Sequence, residues 1–380
     1  MQFRDLKKQY QVLKSDIDAA MVEVAGSSQY IGGPWVKALE QELAEYVGVK
    51  HCVSCANGTD ALSLAVMAWG IGEGDAVFVP DFTFFSSGEI VSAVGATPVF
   101  VDVDENTYNI CAESLEKAIL KVKEEGKLTP KVVVAVDLFG LPADFTKVCE
   151  VAKKYGILVL EDGAQGFGGK IGEQVACSFG DIATTSFFPA KPLGCYGDGG
   201  AVFTNDDEVK ALLESFKVHG KGAMKYDNVR IGMNSRLDTI QAAILQVKLK
   251  AFKDYEVADV NKAAAMYDKA LAALAEAGKL KLPVVPEGFL SSWAQYTIQV
   301  AERETRDALQ AELKAKGIPS MVYYPKPMHK QEAFAGCTQT DADFPVTMKL
   351  CDTVLSLPMH PYLTQEEVDE VAAALKAFLK

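Results

Sequence analysis

The stretch KVVVAVDLFGLPADFTKVCEVAKKYGILVLED, residues 131–162, carries the pattern that decides the fold. Two of its segments, Lys131–Val136 and Ile157–Leu160, are almost wholly apolar and rich in β-branched side chains, as buried strands are. Between them, Asp144–Tyr155 has the periodicity of an amphipathic helix, and Gly156 is a typical helix stop. Apolar strand, helix and apolar strand in this order indicate a mostly parallel sheet with helices on both faces.

The same alternation extends outward from this unit and predicts an α/β fold. Gly199–Thr204 is typical of a return strand, which would make the sheet mixed. Asp238–Glu276 has a long helical pattern that suits a helix joining two domains. We therefore expect a large domain of residues 1–250, including an N-terminal arm, and a smaller α+β C-terminal domain of residues 251–380. The other predicted strands are His51–Ala56, Ala76–Pro80, Pro98–Val103, Ile182–Phe187 and Trp293–Val300.

Composition and charge narrow the class of protein. The 380 residues are 49% hydrophobic and 23% charged, as in ordinary globular proteins. A formal net charge of -13, without a cluster of Lys and Arg, argues against a nucleic-acid partner. No apolar stretch has the length of a membrane span, and the start, MQFRDLKKQY, lacks a secretory signal. We therefore expect a cytoplasmic protein without a membrane partner.

The eight cysteines include one pair, Cys52 and Cys55, at C-x-x-C spacing. Such a pair can hold zinc or act in redox chemistry. No second pair lies at the spacing of a zinc ribbon, and the surrounding HCVSCA predicts a buried strand, in which free cysteines serve as small hydrophobic residues. We therefore expect no metal site.

Polar residues follow two of the predicted strands at their carboxyl ends, where open parallel sheets bind ligands. Asn57-Gly58-Thr59-Asp60 opens a helix whose free amides and dipole favour a phosphate, although Asn57 or Thr59 could simply cap that helix. Asp162 ends an apolar strand, where a carboxylate is costly without a cationic partner. A protonated pyridine nitrogen would be such a partner, and an Arg or a backbone turn is the alternative.

Lys191 lies in the segment SFFPAKPLG, residues 186–194, after a third predicted strand. Proline on both sides of the lysine excludes the interior of a helix or of a central strand, so the lysine belongs to a structured loop. Desolvation lowers the pKa of a lysine and makes its amine nucleophilic, as Schiff-base chemistry requires. The alternative, an exposed loop lysine, fits the surrounding Pro, Gly and Phe poorly.

Five motifs follow one another in fixed order along the chain: NGTDAL (57–62), PDFTFF (80–85), VLEDGAQGFG (159–168), TSFFPAKPLGCYGDGGAVFTND (185–206) and GMNSRLDTIQAAIL (232–245). Together they resemble the DegT/DnrJ/EryC1/StrS family of sugar aminotransferases, and the likeness extends over nearly the whole chain. The resemblance implies fold type I of the pyridoxal-phosphate (PLP) enzymes, with a mainly parallel seven-stranded sheet flanked by helices and a small α+β C-terminal domain. It also implies an obligate homodimer with a shared active site.

The resemblance implies roles at the cofactor for residues in all five motifs. Phe84 is matched to the aromatic that stacks on the pyridine face, and core packing is its alternative. The other matches are Lys191 as the imine-forming and proton-shuttling residue, Asp162 on the pyridine nitrogen, Gln165 near the phenolic oxygen, Gly58, Thr59 and Ser186 on the phosphate, and Asn234 on the phosphate of the other subunit.

The resemblance also implies substrate contacts. Arg236 is matched to a position that reaches the sugar nucleotide across the interface, and Tyr30 to a loop near the sugar. In MVYYPKPMHKQ, residues 321–331, the matches are Tyr323, Tyr324 and His329, for which a surface-loop histidine is the alternative. The subgroup indicated aminates a UDP-linked 2-acetamido-3-keto-hexuronate. Members of that subgroup commonly have His where this chain has Tyr323.

These roles predict an amino transfer from L-glutamate to a keto-sugar, with ping-pong kinetics. Within the family, the alternatives are a UDP- or dTDP-linked 4-keto or 3-keto-6-deoxyhexose as substrate, or a regulatory relative without catalysis. Family members that dehydrate sugars replace the imine-forming lysine by histidine, and Lys191 is present here. A nicotinamide-dependent oxidoreductase is disfavoured, because the glycine-rich segment 70–74 follows a predicted helix and precedes a strand, the reverse of a dinucleotide loop.

Overall fold

The computed structural model describes residues 1–224 and 226–380. Its helices are α1 Leu6–Ser27, α2 Pro34–Val47, α3 Gly58–Ala68, α4 Ser86–Ala93, α5 Ala112–Glu125, α6 Phe145–Tyr155, α7 Asp207–Phe216, α8 Thr239–Ala251, α9 Val257–Glu276, α10 Arg303–Ala315, α11 Pro345–Thr353 and α12 Gln365–Phe378. Its strands are β1 His51–Cys55, β2 Asp75–Pro80, β3 Thr97–Val101, β4 Thr129–Val136, β5 Leu158–Asp162, β6 Lys170–Ile171, β7 Gln174–Val175, β8 Ile182–Ser186, β9 Gly200–Thr204, β10 Phe289–Leu290, β11 Tyr296–Gln299 and β12 Val354–Leu357.

Seven strands form the main sheet in the order β1-β9-β8-β5-β4-β2-β3. Strand β9 runs antiparallel to both of its neighbours, and the remaining pairs are parallel. The prediction of a mostly parallel sheet with one return strand is therefore confirmed. A direct consequence is that β1, β2, β4, β5 and β8 all end at the same edge, while β9 begins there.

Helices cover both faces of this sheet, as the alternation along β4 illustrates. Val132, Val134 and Val136 pack in a core cluster with side chains of α3 and α4. Val133 and Ala135 point the other way and pack with side chains of α5 and α6. Because successive side chains of a strand face opposite sides, a continuous apolar run is required when both sides are buried.

The long helical pattern predicted for Asp238–Glu276 is confirmed as α8 and α9, joined without a break by a π-helical turn at Phe252–Glu256. The predicted strand Trp293–Val300 is shorter in the structure, where β11 begins at Tyr296. Trp293 has a φ of 49°, which interrupts the extended backbone there.

A second hydrophobic core is built from α9, α10, α12, β11 and β12. The chain between α10 and β12 returns to the first core, since Met328, Phe334 and Phe344 pack with side chains of the main sheet. This return brings the predicted C-terminal loop to the sheet edge at which the parallel strands end. The domain boundary near residue 250 stays a prediction, because the α8–α9 helix runs through it without interruption.

The structure also bears on the cysteine pair and on membrane-spanning helices. Cys52 and Cys55 lie buried in β1, and among the described residues no group of three or more His, Cys, Asp and Glu side chains is arranged to hold a metal ion. No helix of residues 1–224 and 226–380 combines the length and the apolar character needed to cross a bilayer.

Candidate active site

The predicted site segments meet at the edge of the sheet where the parallel strands end. In the strand registers, Cys55 and Ser186 are both opposite Gly200, and Val136 is opposite Asp162. The phosphate segment after β1, the carboxylate that ends β5 and the lysine loop after β8 are therefore close neighbours in space. Sequence spacing alone does not show this, because β8 and β1 are brought together by the inserted strand β9.

Lys191 lies on the loop that follows β8, and its backbone N–H donates to the Phe188 carbonyl at 2.8 Å. The residue is partly buried, and none of the described residues hydrogen-bonds to its Nζ. Burial lowers the pKa of the Lys191 amine, against the opposing effect of Asp162. The amine is therefore shifted toward the neutral, nucleophilic form, as predicted for Schiff-base chemistry.

Asp162 is 5% exposed at the end of β5. Its Oδ2 accepts a hydrogen bond from Ser87 Oγ at 2.8 Å, and its Oδ1 accepts one from the Ala164 N–H at 3.2 Å. Burial raises the pKa of Asp162, and these two hydrogen bonds oppose that rise. No ion pair with a described residue neutralises this carboxylate, so a cationic ligand would stabilise it.

Gln165 is fixed by two hydrogen bonds that also determine which way its amide points. Its Oε1 accepts from the Phe139 N–H at 2.8 Å, and its Nε2 donates to Tyr324 Oη at 3.1 Å. Tyr324 thus joins the C-terminal loop to the segment after β5, and its ring packs edge-on against Phe82 at 5.9 Å between centroids. Burial raises the pKa of Tyr324 well above its ordinary value, so its hydroxyl stays protonated.

Gly58, Thr59 and Ser186 form a narrow pocket at the start of α3. A Cβ on Gly58 would lie 2.7 Å from Ser186 Cβ, so only glycine permits this close approach. The Thr59 hydroxyl lies 2.7 Å from Ser86 Oγ. Asn57 caps the helix by accepting from the Asp60 N–H at 2.8 Å, which leaves the amides of Gly58 and Thr59 without an intrahelical partner. The cap and a phosphate site are thus compatible, not exclusive.

Phe84 is 54% exposed, so the core-packing alternative is wrong for this residue. The turn after β2 holds its ring near Tyr324, at 6.5 Å between centroids. An exposed aromatic ring beside the site can stack on a flat heterocycle.

Tyr30, Asn234 and Arg236 lie on two connected exposed segments. Ile31 pairs with Asp238 as an isolated bridge, and the Thr239 N–H donates to the Tyr30 carbonyl at 2.9 Å. All three side chains are exposed in the single chain. Among the described residues, no side-chain hydrogen bond of Asn234 or Arg236 reaches the Lys191 loop of the same chain.

Tyr323 and His329 differ in their surroundings. Tyr323 packs edge-on against Phe3 at 6.3 Å between centroids and is partly exposed. His329 is not a surface-loop histidine, because its side chain is only 3% exposed. Its Nδ1 lies 2.7 Å from Asp81 Oδ2 and its Nε2 lies 3.0 Å from Asp341 Oδ1. While these contacts stand, neither ring nitrogen is free for a ligand.

Sequence reasoning missed several side chains that hold the site together. Ser87 supports Asp162, and its only sequence signal is the hydroxyl-rich start of α4 after FTFF. Asp81, in the quoted PDFTFF motif, is fully buried and accepts from the backbone N–H of His329 at 2.8 Å as well as contacting its ring. Burial raises the pKa of Asp81 to about 6. Arg4 contacts the Lys191 loop from the N-terminus, which no local pattern indicates.

Comparisons with known proteins identify the family of the chain. Residues 11–376 match the DegT/DnrJ/EryC1/StrS aminotransferase family. The UDP-2-acetamido-2-deoxy-3-oxo-D-glucuronate aminotransferase of Pseudomonas aeruginosa is 45% identical over 377 residues, which cover 99% of each chain.

Solved structures agree in fold as well. A DegT DnrJ EryC1 StrS aminotransferase from Brucella abortus has a TM-score of 0.95 at 47% identity, over 100% of this chain and 99% of that one. NtdA from Bacillus subtilis, solved with the cofactor PMP bound, has a TM-score of 0.86 at 28% identity, over 97% of this chain and 82% of that one. The predicted fold of PLP-dependent transferases is thereby confirmed, and the chain belongs to the DegT/DnrJ/EryC1/StrS aminotransferase family.

Proposed function

We propose that this chain is a PLP-dependent aminotransferase that moves an amino group from an amino acid, L-glutamate in the first instance, to a keto group of a nucleotide-linked sugar. The observation that carries the proposal is the pairing of Lys191 and Asp162 at one sheet edge. The lysine amine has no hydrogen-bonding partner among the described residues, and the buried carboxylate has no cation in contact with it. A single ligand that carries an aldehyde and a protonated ring nitrogen would react with the amine of Lys191 and pair with the carboxylate of Asp162.

The residues at the edge fit PLP in their chemistry and their arrangement. Asp162 would hold the pyridine nitrogen, Phe84 would lie against the ring, and Gly58, Thr59 and Ser186 would hold the phosphate at the start of α3. The Gly58–Ser186 approach leaves no room for another side chain between β8 and α3, as expected of a site lined by backbone amides. When bound, PLP supplies an electron sink for the bonds at the reacting carbon.

Lys191 carries the proton transfers in this proposal. Its Nζ, shifted toward the neutral form by burial, accepts a proton from the α-carbon of the amino-acid donor. In the second half of the cycle, the same nitrogen gives a proton to the former carbonyl carbon of the sugar, which now bears the amine. Gln165 and Tyr324 hold each other in place by their mutual hydrogen bond at the same edge of the sheet.

The substrate that we propose is a UDP-linked 2-acetamido-3-keto-hexuronate. The support is the Pseudomonas aeruginosa relative, whose name specifies a 3-oxo-glucuronate, at 45% identity. Tyr323, Tyr324, Tyr30 and Arg236 are the proposed contacts, with Arg236 suited to a phosphate or carboxylate. His329 would act indirectly, because Asp81 and Asp341 engage its ring.

The proposal includes a homodimer whose subunits share each active site. Asn234 and Arg236 belong to a stretch that also exposes large apolar side chains: Ile231 is 90%, Met224 72% and Val229 55% exposed. Apolar surface of this kind marks an interaction surface. We further propose that the enzyme works in the cytoplasm and supplies an amino sugar for polysaccharide biosynthesis.

The cofactor half of the proposal is tested with Lys191→Ala and a matched control, Lys127→Ala, in which an exposed lysine is removed. The wild-type and control proteins should be yellow, with a band near roughly 400–430 nm that bleaches on addition of L-glutamate. The Lys191→Ala protein should show no turnover. Turnover by the Lys191→Ala protein would overturn the proposal.

The substrate half is tested with a panel of UDP- and dTDP-linked 3-keto and 4-keto sugars, assayed with glutamate as donor. Conversion of the 2-acetamido-3-keto-hexuronate well above the 6-deoxyhexoses supports the proposed substrate. A preference for a dTDP-linked 4-keto or 3-keto-6-deoxyhexose would replace it. A protein that binds PLP but converts no member would favour the regulatory alternative.

The shared site is tested by co-expressing the Lys191→Ala and Asn234→Ala chains and isolating the mixed dimer. If Asn234 acts across the interface, a mixed dimer keeps one intact site, and activity reappears from two inactive parents. If the mixture stays as inactive as its parents, the shared site is wrong.

A further inference from the structure

The loop that carries Lys191 is held through its backbone carbonyls by two cationic side chains. Arg4 Nη2 donates to the carbonyl oxygen of Lys191 at 2.9 Å and to that of Pro192 at 3.3 Å. Lys248 Nζ, from α8, donates to the carbonyl oxygen of Gly194. Three carbonyls within four consecutive residues therefore depend on two side chains that the proposed chemistry does not otherwise use.

A buried carboxylate offsets the charge of these two cations. Glu256 is 3% exposed in the π-helical turn, and Coulombic attraction links it to both Arg4 and Lys248. Its Oε1 accepts hydrogen bonds from Gln9 Nε2 at 2.8 Å and from Tyr362 Oη at 2.6 Å. Two buried cations would be costly without such a carboxylate. Glu256, in the π-helical turn, thus supplies the negative charge that stabilises these two cations.

The charge of Arg4 also acts on the amine of Lys191. Burial is the largest cause of the lowered pKa of Lys191, and the positive charge of Arg4 lowers that pKa further, whereas Asp162 raises it. Arg4 itself stays charged, although burial lowers its pKa to about 10. Burial lowers the pKa of Lys248 to about 8, so this anchor is mostly charged at neutral pH.

We propose that Arg4 and Lys248 are positioning residues for Lys191. Together they hold the carbonyls of residues 191, 192 and 194, which fixes the backbone from which the amine of Lys191 extends. Arg4 in addition places a positive charge close to the backbone of Lys191, which disfavours protonation of its amine. The inference rests on the proposed function in one respect, namely that Lys191 is the reacting amine.

The test uses the full-length protein after any bound PLP has been removed with hydroxylamine and dialysis, so that the amine of Lys191 is free and the readouts do not depend on catalysis. The first readout is the pH dependence of Lys191 acylation by acetic anhydride, quantified by mass spectrometry of its peptide, which gives the pKa of that amine. The second is hydrogen exchange of the amides of Lys191 and Cys195, which bond to Phe188 and Phe187 carbonyls. The variants are Arg4→Met, Arg4→Lys and Lys248→Met.

The control is Lys7→Met, which removes one positive charge from an exposed position on the same N-terminal segment. Arg4→Met should raise the pKa of Lys191 and speed exchange of the two loop amides about tenfold or more, the loss expected for one hydrogen bond to a charged group. Arg4→Lys, which keeps the charge, should hold the pKa of Lys191 near its wild-type value. Lys248→Met should speed loop exchange and change the pKa of Lys191 less than Arg4→Met does.

The proposal is overturned if Arg4→Met and Lys248→Met match Lys7→Met in both readouts, or if Arg4→Lys raises the pKa of Lys191 as far as Arg4→Met does. Should Arg4→Met fail to fold, Arg4→Lys and Lys248→Met still decide the matter through loop exchange. Failure of the proposed function gives a different result: the wild-type protein would then bind no PLP, while both readouts on Lys191 would be unaffected.

Discussion

Removal of the Ser87 hydroxyl should damage catalysis through Asp162 while leaving the fold in place. Ser87 Oγ donates to Asp162 Oδ2 at 2.8 Å, and both residues are buried. This bond favours the ionised carboxylate, against burial, which favours the protonated form. A hydrogen bond to a charged group contributes about 1.5–3 kcal/mol. Ser87→Ala should therefore lower kcat/KM by roughly 10- to 100-fold if that carboxylate must be ionised to hold a protonated ring nitrogen.

The assay is the pH dependence of kcat/KM for the glutamate half-reaction, followed by the absorbance of the bound cofactor. Because Ser87→Ala raises the pKa of Asp162 further, the acid limb of the profile should move to higher pH. Ser92→Ala is the matched control, since it makes the same change at an exposed position on the same helix, α4. If Ser87→Ala keeps a wild-type profile within twofold, Asp162 does not act through its charge, and the reasoning is refuted.

Three further changes test other contacts of the site. Gly58→Ala would place a Cβ 2.7 Å from Ser186 Cβ, and such overpacking costs about 1–3 kcal/mol, so PLP affinity should fall in a fluorescence titration; unchanged affinity would show that the pocket adapts. Tyr324→Phe removes the hydroxyl that accepts from Gln165 Nε2 and should lower kcat by about fivefold, the effect of roughly 1 kcal/mol. An unaltered kcat would show that this hydrogen bond does not contribute to catalysis. Burial raises the pKa of Asp81 to about 6, against an ordinary 3.8, so its carboxyl is still ionised at pH 7. As the pH falls, Asp81 therefore takes up a proton in the folded state at a higher pH than in the unfolded state. In urea unfolding, the stability of the wild type relative to Asp81→Asn should therefore rise by about 2 kcal/mol as the pH is lowered from 6 to 4; a parallel pH dependence of the two proteins would contradict this.

The fold and the positions of Lys191 and Asp162 could be predicted from the sequence, because each depends on a local signal. The apolar runs Lys131–Val136 and Ile157–Leu160 became β4 and β5, and the loop fixed by prolines on both sides of Lys191 lies where β8 ends. Parallel strands end at a common edge, which places Asp162 and the Lys191 loop at the same end of the adjacent strands β5 and β8. The approach of β1 to β8 through β9 is not contained in this signal.

Contacts between distant segments could not be predicted in this way. Arg4 reaches the Lys191 carbonyl across 187 positions of sequence, and no periodicity near residue 4 indicates it. The ring of His329 was expected to contact the substrate, yet its orientation is decided by Asp81, 248 positions away. Such partners are chosen by how the C-terminal chain returns to the first core, which is a property of the packed domains and not of any one segment.

The directions of the two pKa shifts show that burial, and not mutual attraction, dominates at Lys191 and Asp162. If Lys191 and Asp162 existed to bind each other, their attraction would hold the lysine pKa up and the aspartate pKa down. The structure has the reverse: burial lowers the pKa of Lys191 and raises that of Asp162, and their mutual attraction only reduces these shifts. No ion pair forms between them among the described residues. Burial thus disfavours the charged form of both groups, and a ligand that supplies a cation to the carboxylate and a carbon to the amine would offset that effect. A ligand with one basic ring nitrogen and one aldehyde meets both requirements, and neither an isolated metal ion nor a nicotinamide does.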